Sequence, residues 1–140
     1  VFLKWFIKFL RWVLGRKLAP PGVVTQVNVR LIGMATIIIK WKDPAIRDDE
    51  TELFPEEIGS VQVAMRVGGA PEFTAIGSVA AGVQEFIQTD MPPGKYEFRL
   101  TVVDTQSPPA VGASFVILAE VPVPRKAAPG QVTDVTVSIE

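Results

Sequence analysis

The chain has no cysteine and no histidine among its 140 residues. These absences remove disulfides, thiolate and imidazole metal sites, and histidine acid–base chemistry. They leave the redox compartment open. Tyrosine occurs once, so a tyrosine in a patterned position is informative. Acidic residues are absent from the first 42 positions, which carry eight of the fourteen Lys and Arg and none of the fifteen Asp and Glu. The net charge of −1 therefore hides a basic beginning and an acidic remainder. The length suits one domain of about 100 to 120 residues with extensions, and no second complete domain fits.

The first stretch, VFLKWFIKFLRWVLGRKLAPPG, predicts a helix over residues 1–18. Lys4, Lys8 and Arg11 fall on one narrow stripe, while Phe2, Trp5, Phe6, Phe9 and Trp12 lie among the apolar residues that cover the rest. Residues 2–14 would extend about 20 Å, short of a hydrocarbon core of about 30 Å. Three mid-helix cations further oppose spanning. They also interrupt what would be a signal-peptide core, and no cleavage pattern follows. Three destinations remain: an assembly of copies and other subunits, a membrane interface with the basic stripe toward head groups, or the chain's own sandwich. The apolar arc is wider than one sheet face covers, which favours the assembly.

Residues 19–22, Ala-Pro-Pro-Gly, break the helix as a stiff linker. Period-two alternation then predicts strands. Thr25, Val27, Val29 and Leu31 form one face of the first strand, and Ile37, Ile39 and Trp41 one face of the second. Val61, Val63, Met65 and Val67 belong to the third; residues 73–76 and 83–88 supply two more. Tyr96, Phe98, Leu100 and Val102 line the strand after the turn Met91-Pro92-Pro93-Gly94, and residues 114–118 form the last of the series. A Pro-Gly turn followed by a tyrosine that opens an alternating strand resembles the tyrosine corner of a fibronectin type III domain. Trp41, closely followed by Pro44, strengthens the resemblance, which covers about residues 20–119. It implies a mostly β fold, an antiparallel sandwich over residues 23–119, with Trp41, Tyr96, Phe98 and Leu100 in its core. The four-residue separation of Ile87 and Met91 departs from the pattern and leaves the register before the corner open.

A repeat closes the chain. Pro21-Gly22-Val23-Val24-Thr25-Gln26-Val27-Asn28-Val29 is echoed by Pro129-Gly130-Gln131-Val132-Thr133-Asp134-Val135-Thr136-Val137, at an offset of about one sandwich. Residues 120–140 are thus expected to form a linker and an extra C-terminal strand, with Val132, Val135, Val137 and Ile139 available for pairing with a neighbour or within the chain. A longer natural chain is the third reading.

No motif carries catalytic chemistry. Asp43, Asp48, Asp49, Glu50, Glu52, Glu56 and Glu57 are opposed only by Arg47 and lack calcium-loop spacing. This segment reads as a solvated loop, with docking of the basic N-terminus as a further reading. Gly68-Gly69 lacks the phosphate-loop pattern, and the basic residues share their helix with apolar ones, so neither nucleotide nor nucleic-acid binding is expected. The expectation is a non-enzymatic assembly subunit without metal, cofactor or small-molecule substrate. Its partners would be copies of itself and other subunits. Phage tail proteins often carry such sandwiches, so a virion protein of a bacteriophage tail or tail tip is the first expectation. A membrane-interface binding module at the cell surface and a surface-filament subunit are the alternatives.

Overall fold

The computed structural model describes residues 2–14 and 17–124; for Phe2 and residues 10–14 it describes the backbone only. Helix α1 spans Phe2–Leu14. Seven strands follow: β1 (Thr25–Ile32), β2 (Thr36–Lys42), β3 (Ile58–Val67), β4 (Thr74–Ala80), β5 (Glu85–Gln88), β6 (Gly94–Asp104) and β7 (Val111–Val121). A short 3-10 turn, Pro55–Glu57, leads into β3.

The strands form two antiparallel sheets, ordered β1-β2-β5 and β4-β3-β6-β7. Alternation explains the layering, since each strand sends every second side chain inward. Ile37, Ile39 and Trp41 on β2 meet Val61, Val63, Phe98, Leu100 and Val102 on β3 and β6, all buried. Each such side chain contributes roughly 1.5 to 3 kcal/mol by leaving water. Tyr96 is buried at the corner, and its hydroxyl donates to the Pro92 carbonyl at 2.5 Å. The indole Nε1 of Trp41 donates to Asp43 Oδ1 at 3.1 Å.

The expected sandwich is present, with three local differences. β3 and β7 are longer than the alternation alone indicated, because Ile58 pairs with Asp104 and Val111 with Val103. β4 extends to Ala80, where Ser60 pairs with it. In β1 the inner face is not a strict alternation. A bulge lies between Thr25, which pairs with Lys42, and Asn28, which pairs with Lys40, and Gln26 takes a φ of +51°. Val24 consequently turns into the core and Thr25 turns out to solvent. The expected extra C-terminal strand, with Val132, Val135, Val137 and Ile139, lies outside the described residues.

Candidate functional site

The site is built at one end of the sandwich, where α1, the proline-rich segment and the acidic loop between β2 and β3 meet. Its foundation is Arg47, a lone cation in an acidic run, which is only 1% exposed. Its NH1 donates to the Ala19 carbonyl at 2.7 Å and to Asp104 Oδ2 at 3.0 Å, and its NH2 lies 3.4 Å from Glu57 Oε2. Nε is buried with no acceptor among the described residues. Asp104 also accepts from the Ala110 N–H at 2.8 Å and from the Gln106 side chain. Burial pushes the Asp104 carboxyl up, but the hydrogen bonds from Gln106, Ala110 and Arg47 outweigh it and hold the group below its ordinary value.

The proline-rich segment is fastened along its length as a strap. Leu18 N–H donates to Gln106 Oε1 at 2.9 Å, Asp48 N–H to the Pro20 carbonyl at 3.0 Å, and Gly22 N–H to the Ile46 carbonyl at 3.0 Å. A Cβ on Gly22 would stand 2.6 Å from that Ile46 oxygen, so this contact requires glycine. Pro21, itself fully buried, packs its carbonyl against Gly112 of β7.

The strap delivers α1 to the acidic loop. Lys8 pairs with Glu56, and Lys4 Nζ lies 3.6 Å from Glu52 Oε1. Both ammonium groups also sit over the face of buried Phe54, 5.5 Å from the ring centroid for Lys4 and 4.9 Å for Lys8. Phe54 is held there by its N–H, which donates to Glu57 Oε1 at 3.0 Å. The hydrogen bond from Lys8 holds the Glu56 carboxyl below its ordinary value.

The helix therefore folds back on its own sandwich through Lys4 and Lys8 of its charged stripe. Leu3, Trp5, Phe6 and Phe9 remain between 41% and 67% exposed. Trp5 and Phe9 stack with ring centroids 5.4 Å apart and planes 11° from parallel. The side chains of Phe2, Arg11 and Trp12 lie outside the described residues. Trp41, Phe98 and Leu100 lie in the sandwich interior and Tyr96 at the corner.

Sequence reasoning missed the role of Arg47 and the fastening of the strap. The signal for Arg47 was its isolation among seven acids; nothing local marked the strap, because its partners lie up to 88 residues away. A groove of about 670 Å³ under the helix is lined by Lys4, Lys42, Asp43, Glu52, Glu56 and Gln84 together with apolar residues. Lys4 is spent on Glu52, and Asp43 accepts from Trp41 Nε1 and from the Gly82 N–H. The carboxylates are thus directed at several different partners, and among the described residues no group of three or more could hold a metal ion. No helix among the described residues is long and apolar enough to cross a membrane.

No protein-family profile matches the chain, and no curated protein does. Solved structures do match. The solution structure of a fourth FNIII domain from human is 20% identical, with a TM-score of 0.59 over 82% of this chain and 92% of that one. Domains d3–d4 of the rat CD45 extracellular region are 15% identical, with a TM-score of 0.56 over 74% of this chain and 51% of that one. Domains A168–A170 of titin are 13% identical, with a TM-score of 0.56 over 74% and 33%. The fold is that of the fibronectin type III and immunoglobulin-like sandwiches.

Proposed function

We propose that the chain is a non-enzymatic assembly subunit, in which the sandwich presents α1 with its apolar face outward to pack against the same helix of neighbouring copies. The observation that carries this reading is the direction of the helix. Lys4 and Lys8 are directed at Glu52, Glu56 and Phe54, while Leu3, Trp5, Phe6 and Phe9 are displayed. Burying such a face between helices gives each large side chain roughly 1.5 to 3 kcal/mol. The lysines already have carboxylates, so the electrostatic part of an attraction to anionic lipid is weakened. The scatter of carboxylates toward separate partners supports a role without catalysis.

Light scattering of the whole chain tests the reading. A discrete oligomer that becomes monomeric with Leu3→Glu and Phe6→Glu is expected. A monomer that associates only with anionic vesicles would replace this reading with a membrane-interface module. The setting we propose is a bacteriophage tail or tail tip, supported by likeness of architecture alone. Mass spectrometry of purified virions should find the chain at a fixed ratio to the other tail proteins, and its absence there would remove that setting.

A further inference from the structure

The four-stranded sheet ends in β7, which has β6 on one side and, among the described residues, no strand on the other. Each of the other three sheet edges is interrupted. β1 carries the bulge at Gln26, β4 holds Ile76 as an extra residue between the partners of Val63 and Ala64, and β5 is four residues long. Bulges and short strands keep an edge from accepting another strand. β7 is protected in this way only at its start, where its register shifts and the Pro21 carbonyl lies against Gly112. From Ser114 to Val121 its register with β6 is unbroken. That stretch, SFVILAEV, contains no proline, glycine or lysine and a single charge, Glu120.

The register also fixes which side chains stand beside the open edge. Thr101 lies opposite Ser114, Arg99 opposite Val116, Glu97 opposite Leu118 and Lys95 opposite Glu120. Alternation puts these pairs on one face, and the exposed hydroxyl contact of Thr101 with Ser114, 2.7 Å, marks it as the outer one. Val116 is 45% and Leu118 70% exposed there. The Arg99 guanidinium sits 4.6 Å from the centre of the Phe73 ring, which Arg66 shares, and it has no carboxylate among the described residues. Glu97 is taken by Arg66. Glu120 also forms no ion pair among the described residues.

We infer that β7 pairs antiparallel with β7 of a second copy about a two-fold axis at Leu118, joining two four-stranded sheets into one. A two-fold axis perpendicular to the sheet sets outward residues against outward residues. Centred at Leu118, it brings the most exposed large apolar side chain of β7 against its own counterpart. It also places Glu120 of each copy opposite Val116, in the row of the other copy's Arg99. Two strand spacings, about 10 Å, separate those α-carbons. The two long side chains cross that span over Val116, with Arg99 exchanging the Phe73 ring for a carboxylate.

Other registers lack this match. Centred at Glu120, the two glutamates oppose each other; at Ala119, Glu120 enters the row of Glu97; at Ile117, it enters the row of Thr101, which has no cation. Each copy has one such edge, so the pairing closes at two and does not propagate. It is a contact separate from the packing of α1. Eight residues of edge fall short of the roughly 1,000 Å² that a stable interface clears, so this pairing belongs to concentrated solution and leaves a dilute helix variant monomeric.

The test uses the full chain carrying Leu3→Glu and Phe6→Glu, which removes helix packing, so that failure of one contact is not failure of the other. Because the chain has no cysteine, Leu118→Cys supplies its only thiol. Oxidised in concentrated solution, this variant should give a disulfide-linked dimer, since directly opposed α-carbons lie about 4.5 to 5.5 Å apart. Val116→Cys should not, because its own counterpart stands four residues along the strand, about 13 Å away. Without any cysteine, amides of residues 114–121 should exchange more slowly as concentration rises. Arg99→Glu should weaken that dependence several-fold, and adding Glu120→Arg should restore it. Cross-linking by neither cysteine variant or equally by both, exchange in β7 that ignores concentration, or an Arg99→Glu variant that pairs as well as before would each overturn the inference.

Discussion

Arg47 joins three pieces of chain that are distant in sequence: the strap at Ala19, the 3-10 turn at Glu57 and the end of β6 at Asp104. A buried pair of this kind contributes little relative to a well-packed apolar substitute, yet breaking it by halves is costly. Asp104→Ala should therefore lower stability by about 3 to 5 kcal/mol in urea unfolding. A loss below about 1 kcal/mol would show that the guanidinium finds other acceptors. Because the Asp104 carboxyl is held below its ordinary value, its contribution is fully present above the unfolded value near 3.8. It fades as the pH drops below that toward the depressed folded value. Acid unfolding of the wild type should therefore steepen below pH 3.8, and the Asp104→Ala variant should lack that component. Gly22→Ala forces a methyl toward the Ile46 carbonyl, and the accommodation should cost about 1 to 3 kcal/mol.

Among the elements, α1 is the one whose attachment depends most on solution conditions. Its link to the sandwich includes the Lys4–Glu52 and Lys8–Glu56 pairs and the two ammonium contacts with Phe54. Exposed ion pairs are screened over about 10 Å at 0.1 M salt. Protonating Glu56 removes the Lys8 pair only below its depressed folded value. Amide exchange in α1 should accordingly accelerate with added salt, and again in strong acid, while β3 and β6 are unchanged. Equal acceleration across β3 would show that the helix and the sandwich open as one unit. The helix itself was legible from three-residue and four-residue spacing, but its orientation was not. Amphipathicity says which face is apolar; it does not say that a loop 44 to 52 residues away carries carboxylates and an aromatic ring at the reach of two lysines. The acidic run and the basic helix were each readable, and only the folded strap brings them together.

For the whole molecule, the sandwich should stand without the helix, since the described core contains no residue of α1. Deleting residues 1–17 should leave the thermal midpoint within a few degrees, as a change under 1 kcal/mol would do; calorimetry checks this. A larger loss would mean that α1 is part of the fold. The two-sheet architecture was legible because Ile37, Ile39 and Trp41, and then Tyr96, Phe98 and Leu100, repeat with the strand period and enter one core. The β1 bulge was illegible, because a one-residue insertion reads in sequence as continued alternation through Thr25.

The strap enters the sandwich beside Gly112, and β7 leaves it at Val121, paired with Gly94 at the far end of β6. A pull applied at Ala19 and Val123 would consequently run along the strands. The hydrogen bonds of the strap, β1 and β7 would be loaded side by side in shear, with no single rung at the head of a zipper. The bonds of Arg47 to Ala19 and Asp104 lie at the Ala19 end of that load path and would be among those loaded.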